Sequence, residues 1–204
     1  MSIERAKKIK VILFDVDGVL TDGTIWLFPA PASGPRSTDS DAQKHAGLSG
    51  YAIHSQNMIE AKGFHAHDGT AVSLARLGGL KSGLVTKRIS ETVALRARDL
   101  NIDFVIQGAA NKSEALDQIM ANSGISAEAI AFVGDDVIDL PIMRRCGLAI
   151  AVANARPQVA EIAHYHTPSR GGQGAARDAV EYILKAQGTL ERVIEAYIQA
   201  KTSL

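Results

Sequence analysis

The chain has 204 residues and a mass of 21.6 kDa, enough for one ordinary domain that buries roughly 70% of its unfolded surface. Its apolar fraction of 46% and charged fraction of 22% exclude disordered, collagen-like and coiled-coil classes. The 22 Lys plus Arg balance 22 Asp plus Glu, which argues against a life on nucleic acid or an anionic membrane surface. The lone Cys146 cannot close an intramolecular disulfide, and no Cys/His array has zinc-finger spacing, so the chain reads as reduced and cytoplasmic. Its longest early apolar run, Val11 to Phe14, is stopped by Asp15 and is too short for a signal-peptide core or a membrane span.

In chain order, a polar and basic segment from Ser2 to Lys10 leads into Val11-Ile12-Leu13-Phe14, a continuous, partly β-branched apolar stretch. That pattern predicts a strand buried on both faces, as in a parallel sheet. Similar runs recur at Gly83 to Thr86, Phe104 to Ile106, Ile130 to Val133 and Leu148 to Val152. Helical stretches at Thr70 to Leu77, Ser90 to Leu100, Lys112 to Asn122, Leu140 to Cys146 and Pro157 to Ala163 lie between or after them. The alternation predicts βαβ units and an α/β fold with a doubly wound, mainly parallel, Rossmann-like sheet. From Pro29 to Tyr51 the chain is rich in Pro, Ala, Ser, Gly and Asp, which predicts an exposed, mobile loop. Gly50 to His67 suits either a short helix, at Gln56 to Lys62, or one arm of a hairpin, and periodicity does not decide between them. The tail from Ala175 reads as two helices broken at Gly188-Thr189, with Thr189 placed to cap the second.

The strand exits carry the chemistry. Asp15-Val16-Asp17-Gly18-Val19-Leu20-Thr21-Asp22-Gly23 follows directly on the first strand, where open α/β sheets bind ligands. Two carboxylates that close repel unless a cation or a shared proton intervenes, and Mg²⁺ suits all-oxygen ligation beside a phosphate. Taken alone, a D-x-D is more often a surface turn. A second acidic cluster, Gly134-Asp135-Asp136-Val137-Ile138-Asp139, ends another buried strand. Here Asp139 could serve only the helix dipole, with Asp136 in a supporting role. Between the two, Thr86 ends a strand with a hydroxyl and Asn111-Lys112-Ser113 opens a helix with a cation, the elements of a phosphate cradle.

This ordered set resembles the haloacid dehalogenase-like phosphohydrolases over nearly the whole chain. The resemblance implies that Asp15 is the nucleophile that forms an aspartyl-phosphate. Asp17 becomes the general acid/base, its backbone carbonyl also binding Mg²⁺. Thr86 and Lys112 would hold the phosphate, and Asp135 would complete the metal site with Asp136 and Asp139 supporting. Val19, Thr21-Asp22-Gly23, His67-Asp68-Gly69, Ile106-Gln107-Gly108 and Gly171-Gly172-Gln173-Gly174-Ala175-Ala176-Arg177 are similar to the branch acting on 3-deoxy-D-manno-octulosonate 8-phosphate and nine-carbon sialic-type sugar acid phosphates. That branch implies a single domain over 1–204 with almost no cap, a β-hairpin insertion at about 23–64 and a helical tail at about 175–204. It also implies a homotetramer in which a neighbouring subunit covers the site, with Arg88, Asp68 and Arg177 contacting the sugar acid. Two rim positions and one insert depart from the pattern: Lys87 where Gly is usual, His67 where Arg is usual, and a longer Pro/Ala/Ser-rich segment.

Other signals are weaker. Gly172 to Arg177 lacks the preceding strand and the acidic residue of a dinucleotide loop. The His65/His67 and His164/His166 pairs fit solvated histidines better than a zinc site, and Lys87-Arg88 and Arg144-Arg145 read as solvated basic pairs. Three functions stand: a Mg²⁺-dependent phosphatase of a keto-deoxy sugar acid phosphate, the same chemistry on another small phosphomonoester, and a noncatalytic phosphate-ligand or protein-binding module. A binding module needs no nucleophile and acid/base together, which counts against the third.

Overall fold

The computed structural model describes residues 2–29 and 58–201. A short helix, α1 (Ser2–Ala6), precedes β1 (Val11–Phe14), and β2 (Trp26–Pro29) and β3 (Met58–Ala61) follow. Next come α2 (Ala66–Leu77), β4 (Lys81–Val85), α3 (Glu91–Asp99), β5 (Phe104–Ile106), α4 (Lys112–Ser123) and β6 (Ile130–Gly134). The chain closes with α5 (Leu140–Met143), β7 (Leu148–Ala151), α6 (Pro157–Ile162), β8 (Tyr165–His166), α7 (Ala175–Ala186) and α8 (Leu190–Lys201).

Six strands form one parallel sheet in the order β5-β4-β1-β6-β7-β8. The chain first builds outward from β1 through β4 to β5, then returns to the other side of β1 with β6, β7 and β8. Strand order therefore reverses at β1, and the crevice beyond its carboxyl end is the switch point where such sheets bind ligands. Every residue of β1 is buried because helices cover both faces. Ile12 and Phe14 point into a core shared with α1, α2, α3, α7 and α8, whereas Val11 and Leu13 point into one shared with α4, α5 and α6. A four-residue apolar run without polar alternation is what a two-sided burial of this kind requires.

The structure extends or trims several predicted elements. Helix α2 starts at Ala66, four residues before Thr70, and α5 stops at Met143 rather than Cys146. The segment read as helix or hairpin arm is an arm: Met58–Ala61 pairs antiparallel with Trp26–Pro29. The break between α7 and α8 falls at Gly188-Thr189 as the spacing predicts. Thr189 uses its hydroxyl differently, donating to the Leu184 carbonyl at 3.3 Å, while its own carbonyl accepts from Val193 N–H. It thus closes the helix before it. The loop expectation for Pro29 to Tyr51 lies, beyond Pro29, outside the described residues. Among the described residues no helix is long and apolar enough to cross a membrane.

Phe132 stands at the centre of the sheet, in register with Leu13 and Ala149 and fully buried. Phe132→Ala is expected to lower unfolding free energy by about 3–5 kcal/mol, because the strand core around it cannot collapse into the space left; chemical denaturation measures this directly, and a loss below about 1 kcal/mol would contradict this packing.

Candidate active site

The turn after β1 is shaped by its own backbone. The Val16 carbonyl accepts from the N–H groups of Val19, Leu20 and Thr21, and the Thr21 hydroxyl bonds the same oxygen at 3.2 Å. Gly18 has φ +93, and a Cβ there would overlap the Asp135 carboxylate. Glycine is required both for the left-handed backbone and for that close approach. The glycine-rich stretch before α7 backs the turn from outside. Gly172 N–H donates to the Val19 carbonyl at 2.9 Å, and any side chain at Gly171 would collide with the Gly18 carbonyl.

Two strand exits and a helix start then meet. Asp15 follows β1 and is almost fully buried, its N–H paired with the Val133 carbonyl and one carboxylate oxygen accepting from Val16 N–H at 2.6 Å. Lys112 is the first residue of α4, set there by Asn111, whose side chain accepts from Ser113 N–H. Its ammonium lies 2.7 Å from Asp15 Oδ2 and 2.6 Å from Asp139 Oδ1. It also sits 5.6 Å above the centre of the Phe132 ring. Asp139 Oδ2 accepts from the N–H groups of Asp135 and Asp136, folding the exit of β6 around it. Asp136 caps the short turn at Val137–Asp139 through its side chain, its Oδ1 accepting from Val137 N–H.

Asp15, Asp135 and Asp139 offer carboxylate oxygens that all lie within 4.8 Å of one another. When ionised they present three negative charges to the single buried ammonium of Lys112. Asp135 Oδ1 is buried without any hydrogen-bond partner, the kind of orphan a native structure leaves for an ion. Hard carboxylate oxygens with two uncompensated charges fit a divalent cation such as Mg²⁺. The titration behaviour agrees. Burial, offset by Lys112 and reinforced by Asp139, pushes Asp15 up to about 7. Burial together with Asp15, Asp139 and Asp136 pushes Asp135 up to about 8. Burial alone would lower Lys112, but Asp15 and Asp139 outweigh it and hold the ammonium above its ordinary value.

Asp17 lies at the rim of this cluster. Its Oδ1 receives the Lys62 ammonium, and its Oδ2 lies 3.4 Å from Arg88 Nε. Thr86 is buried at the end of β4, its hydroxyl accepting from Arg88 N–H and its carbonyl from Ala109 N–H. The structure thus gathers Asp15, Asp135, Asp139 and Lys112, with Asp17, Thr86 and Arg88 beside the same strand ends. Asp68 and Arg177 are engaged elsewhere. Both Asp68 oxygens accept backbone N–H groups at the start of α7, from Gly174 and Arg177, each at 3.2 Å. The Arg177 guanidinium turns along its own helix to pair with Glu181. Lys62 and Glu60 were not singled out in the sequence. Their spacing of two places them on one face of a strand, but only a strand assignment for that segment would have exposed the signal. Cys146 offers no nucleophile, since burial pushes its thiol up to about 12.

Residues 82–177 match the family of haloacid dehalogenase-like hydrolases. A 3-deoxy-D-manno-octulosonate 8-phosphate phosphatase from Escherichia coli (strain K12) is 32% identical over 189 residues, covering 93% of this chain and 86% of its own. The chain belongs to the haloacid dehalogenase-like hydrolases. It is a phosphoric monoester hydrolase similar to the 3-deoxy-D-manno-octulosonate 8-phosphate phosphatases. Two solved structures of such phosphatases superpose on it. The one from Yersinia pestis has a TM-score of 0.77 and 32% identity over 93% of this chain and 88% of its own. The one from Moraxella catarrhalis, in complex with magnesium, phosphate and KDO, has a TM-score of 0.78 and 32% identity over 96% and 97%.

Because Asp15 and Asp135 keep their protons to higher pH folded than unfolded, the native hydrolase binds more protons than the unfolded chain between the ordinary 3.8 and about 7 to 8. Its stability therefore falls as pH rises through that window. In chelator, the thermal midpoint is expected to drop from pH about 5 to about 8, and Asp135→Asn to flatten the drop. Calorimetry checks both, and a midpoint that climbs across the window would show that the cluster is not proton-loaded.

Proposed function

We propose that this hydrolase is a Mg²⁺-dependent phosphatase that releases phosphate from a keto-deoxy sugar acid phosphate, 3-deoxy-D-manno-octulosonate 8-phosphate, through an aspartyl-phosphate on Asp15. The observation that carries the reading is the buried Asp15–Lys112–Asp139 array with the unpartnered Asp135 oxygen beside it. Substrate choice leans on the named relatives and on the structure from Moraxella catarrhalis that contains KDO.

In this reading Asp15, Asp135 and the backbone carbonyl of Asp17 hold the metal, with Asp139 and Asp136 shaping the site around them. The metal supplies charge neutralisation between the entering phosphate and the carboxylates. Lys112 fixes the Asp15 carboxylate and neutralises phosphoryl oxygens, so that one anion can approach another. Thr86 binds a phosphoryl oxygen through its hydroxyl. The proton on Asp17 Oδ2 passes to the leaving sugar oxygen as the bond from Asp15 to phosphorus forms. The same oxygen then takes a proton from the water that hydrolyses the aspartyl-phosphate. Arg88 stands at the rim beside Asp17, its Nε 3.4 Å from Oδ2, and is assigned a contact to the sugar acid there. For Asp68 and Arg177 we assign a supporting part in holding the start of α7 against the site, with contact to the sugar acid requiring Arg177 to leave Glu181.

A second reading, a nonulosonate 9-phosphate or another small phosphomonoester, draws on Lys87 and His67, which differ from the usual rim residues. We assign the chain to a single domain in the cytoplasm. We also read the enzyme as a homotetramer, as the family resemblance implies; the exposed Trp26, Leu27, Phe28 and Ile59 of the hairpin offer an apolar surface suited to burial against a neighbouring copy.

Phosphate release with Mg²⁺ is expected on octulosonate 8-phosphate above nonulosonate 9-phosphates and common sugar phosphates. Asp15→Asn should abolish turnover with the fold intact, and a fully active, clean Asp15→Asn preparation would end the mechanism. Preference for another ester would make Lys87 and His67 specificity determinants. Phosphate binding without turnover on any ester would favour a binding module.

A further inference from the structure

A buried lysine outside the phosphate site calls for explanation. The Lys62 side chain is fully buried although it sits just past the end of the hairpin strand β3. Its ammonium is committed to two carboxylates, Asp17 Oδ1 and, at 3.8 Å, Glu60 Oε1. Glu60 is itself anchored. Its carboxylate accepts from the Ser90 hydroxyl at 2.5 Å and its carbonyl from the Thr92 hydroxyl at 3.3 Å. Ser90 caps α3, accepting from Val93 N–H, and donates its own N–H to the Gln107 side chain at 2.8 Å. Lys62 is thus held by a frame built from β3, the start of α3 and the loop after β5. Burying an ammonium in this way is expensive, and an apolar side chain would join the hairpin to the body more cheaply. The other cation near Asp17 differs: Arg88 is partly exposed and lies 3.4 Å from Oδ2. One oxygen of Asp17 is therefore held by a dry ammonium, while the other faces a partly exposed guanidinium.

We propose that Lys62 is a positioning residue that locks the Asp17 carboxyl by Oδ1 so that Oδ2 carries the proton toward the leaving oxygen. The proposal rests on the reading of Asp17 as the acid/base. As the bond between phosphorus and the leaving oxygen breaks and the bond from Asp15 to phosphorus forms, the proton leaves Oδ2. The remaining carboxylate charge lies against the Lys62 ammonium. Removing the lysine frees the carboxyl to rotate, and misaligned proton delivery matters most when the leaving group is a poor one.

The test is kcat/KM for phosphate monoesters of graded leaving-group acidity, from a sugar phosphate through phenyl to nitrophenyl phosphate, at fixed pH with saturating Mg²⁺. Wild type, Lys62→Met, Lys62→Arg, Glu60→Gln and Asp17→Asn are compared. Asp17→Asn and Lys62→Met are expected to steepen the dependence on leaving-group pKa. The loss should be on the order of 10²-fold for the sugar phosphate and about tenfold less for the nitrophenyl ester. Lys62→Arg should recover part of the slope, and Glu60→Gln, which releases Lys62 from its second anchor, should steepen it to a smaller degree. A structural role alone would displace all esters in parallel. Parallel loss in Lys62→Met with a steep Asp17→Asn overturns the proposal and leaves the acid/base reading standing. Parallel loss in Asp17→Asn overturns that reading and the proposal with it. If Lys62→Met fails to fold, Glu60→Gln decides: a slope equal to wild type overturns the proposal.

Discussion

The structure turns on one buried ammonium. Lys112 lies between Asp15 and Asp139 with almost no solvent access, so each partner is committed to it. Removing any one would strand a charge in the interior, which typically costs 3–5 kcal/mol. The three groups come from the exits of β1 and β6 and the start of α4, and satisfying them fixes how those elements end. Asp139 also gathers the N–H groups of Asp135 and Asp136, so the same contact that holds Lys112 shapes the acidic turn. An arrangement with more carboxylates than cations is unfavourable without an ion, and proteins accept such strain where function needs it.

Two further constraints hold this centre in place. The glycine-rich stretch before α7 packs backbone against backbone on the turn after β1, a distance only glycine permits at Gly171. Asp68, at the start of α2, draws the first N–H groups of α7 to itself. Burial pushes Asp68 upward, although the Arg177 and Gly174 amides work against it. The hairpin reaches the site through Lys62, which pairs with Asp17 and Glu60. The centre is therefore contacted by both the start of α7 and the hairpin.

Much of this was legible from local pattern. The run Val11 to Phe14 has no polar alternation because both of its faces are covered, and the same logic marks β6 and β7. Asp15, Thr86, Lys112 and Asp135 were legible because each sits at the exit of a strand or the start of a helix, where short-range sequence decides position. What was not legible follows from range. Asp68 accepts from the Gly174 and Arg177 amides, 106 and 109 residues away, a pairing that no local pattern reveals. The Arg177 side chain pairs with Glu181 along its own helix. Met58–Ala61 could not be separated from a helix by periodicity, so Lys62 and Glu60 stayed hidden with it.

By itself, then, the sequence determined the alternation of β1, β4, β5, β6 and β7 with the helices around them, the two-sided burial of the sheet and the strand ends that carry acid, hydroxyl and amine. These depend on side-chain pattern and turn chemistry within a few residues. Tertiary structure decided which of those groups share a proton or a charge: Asp139 rather than Asp136 against Lys112, Asp68 against α7, and Lys62 against Asp17 across 45 residues. A charge pairing depends on distance in space and on burial, and both are set only when the sheet, its helices and the hairpin have closed around one another.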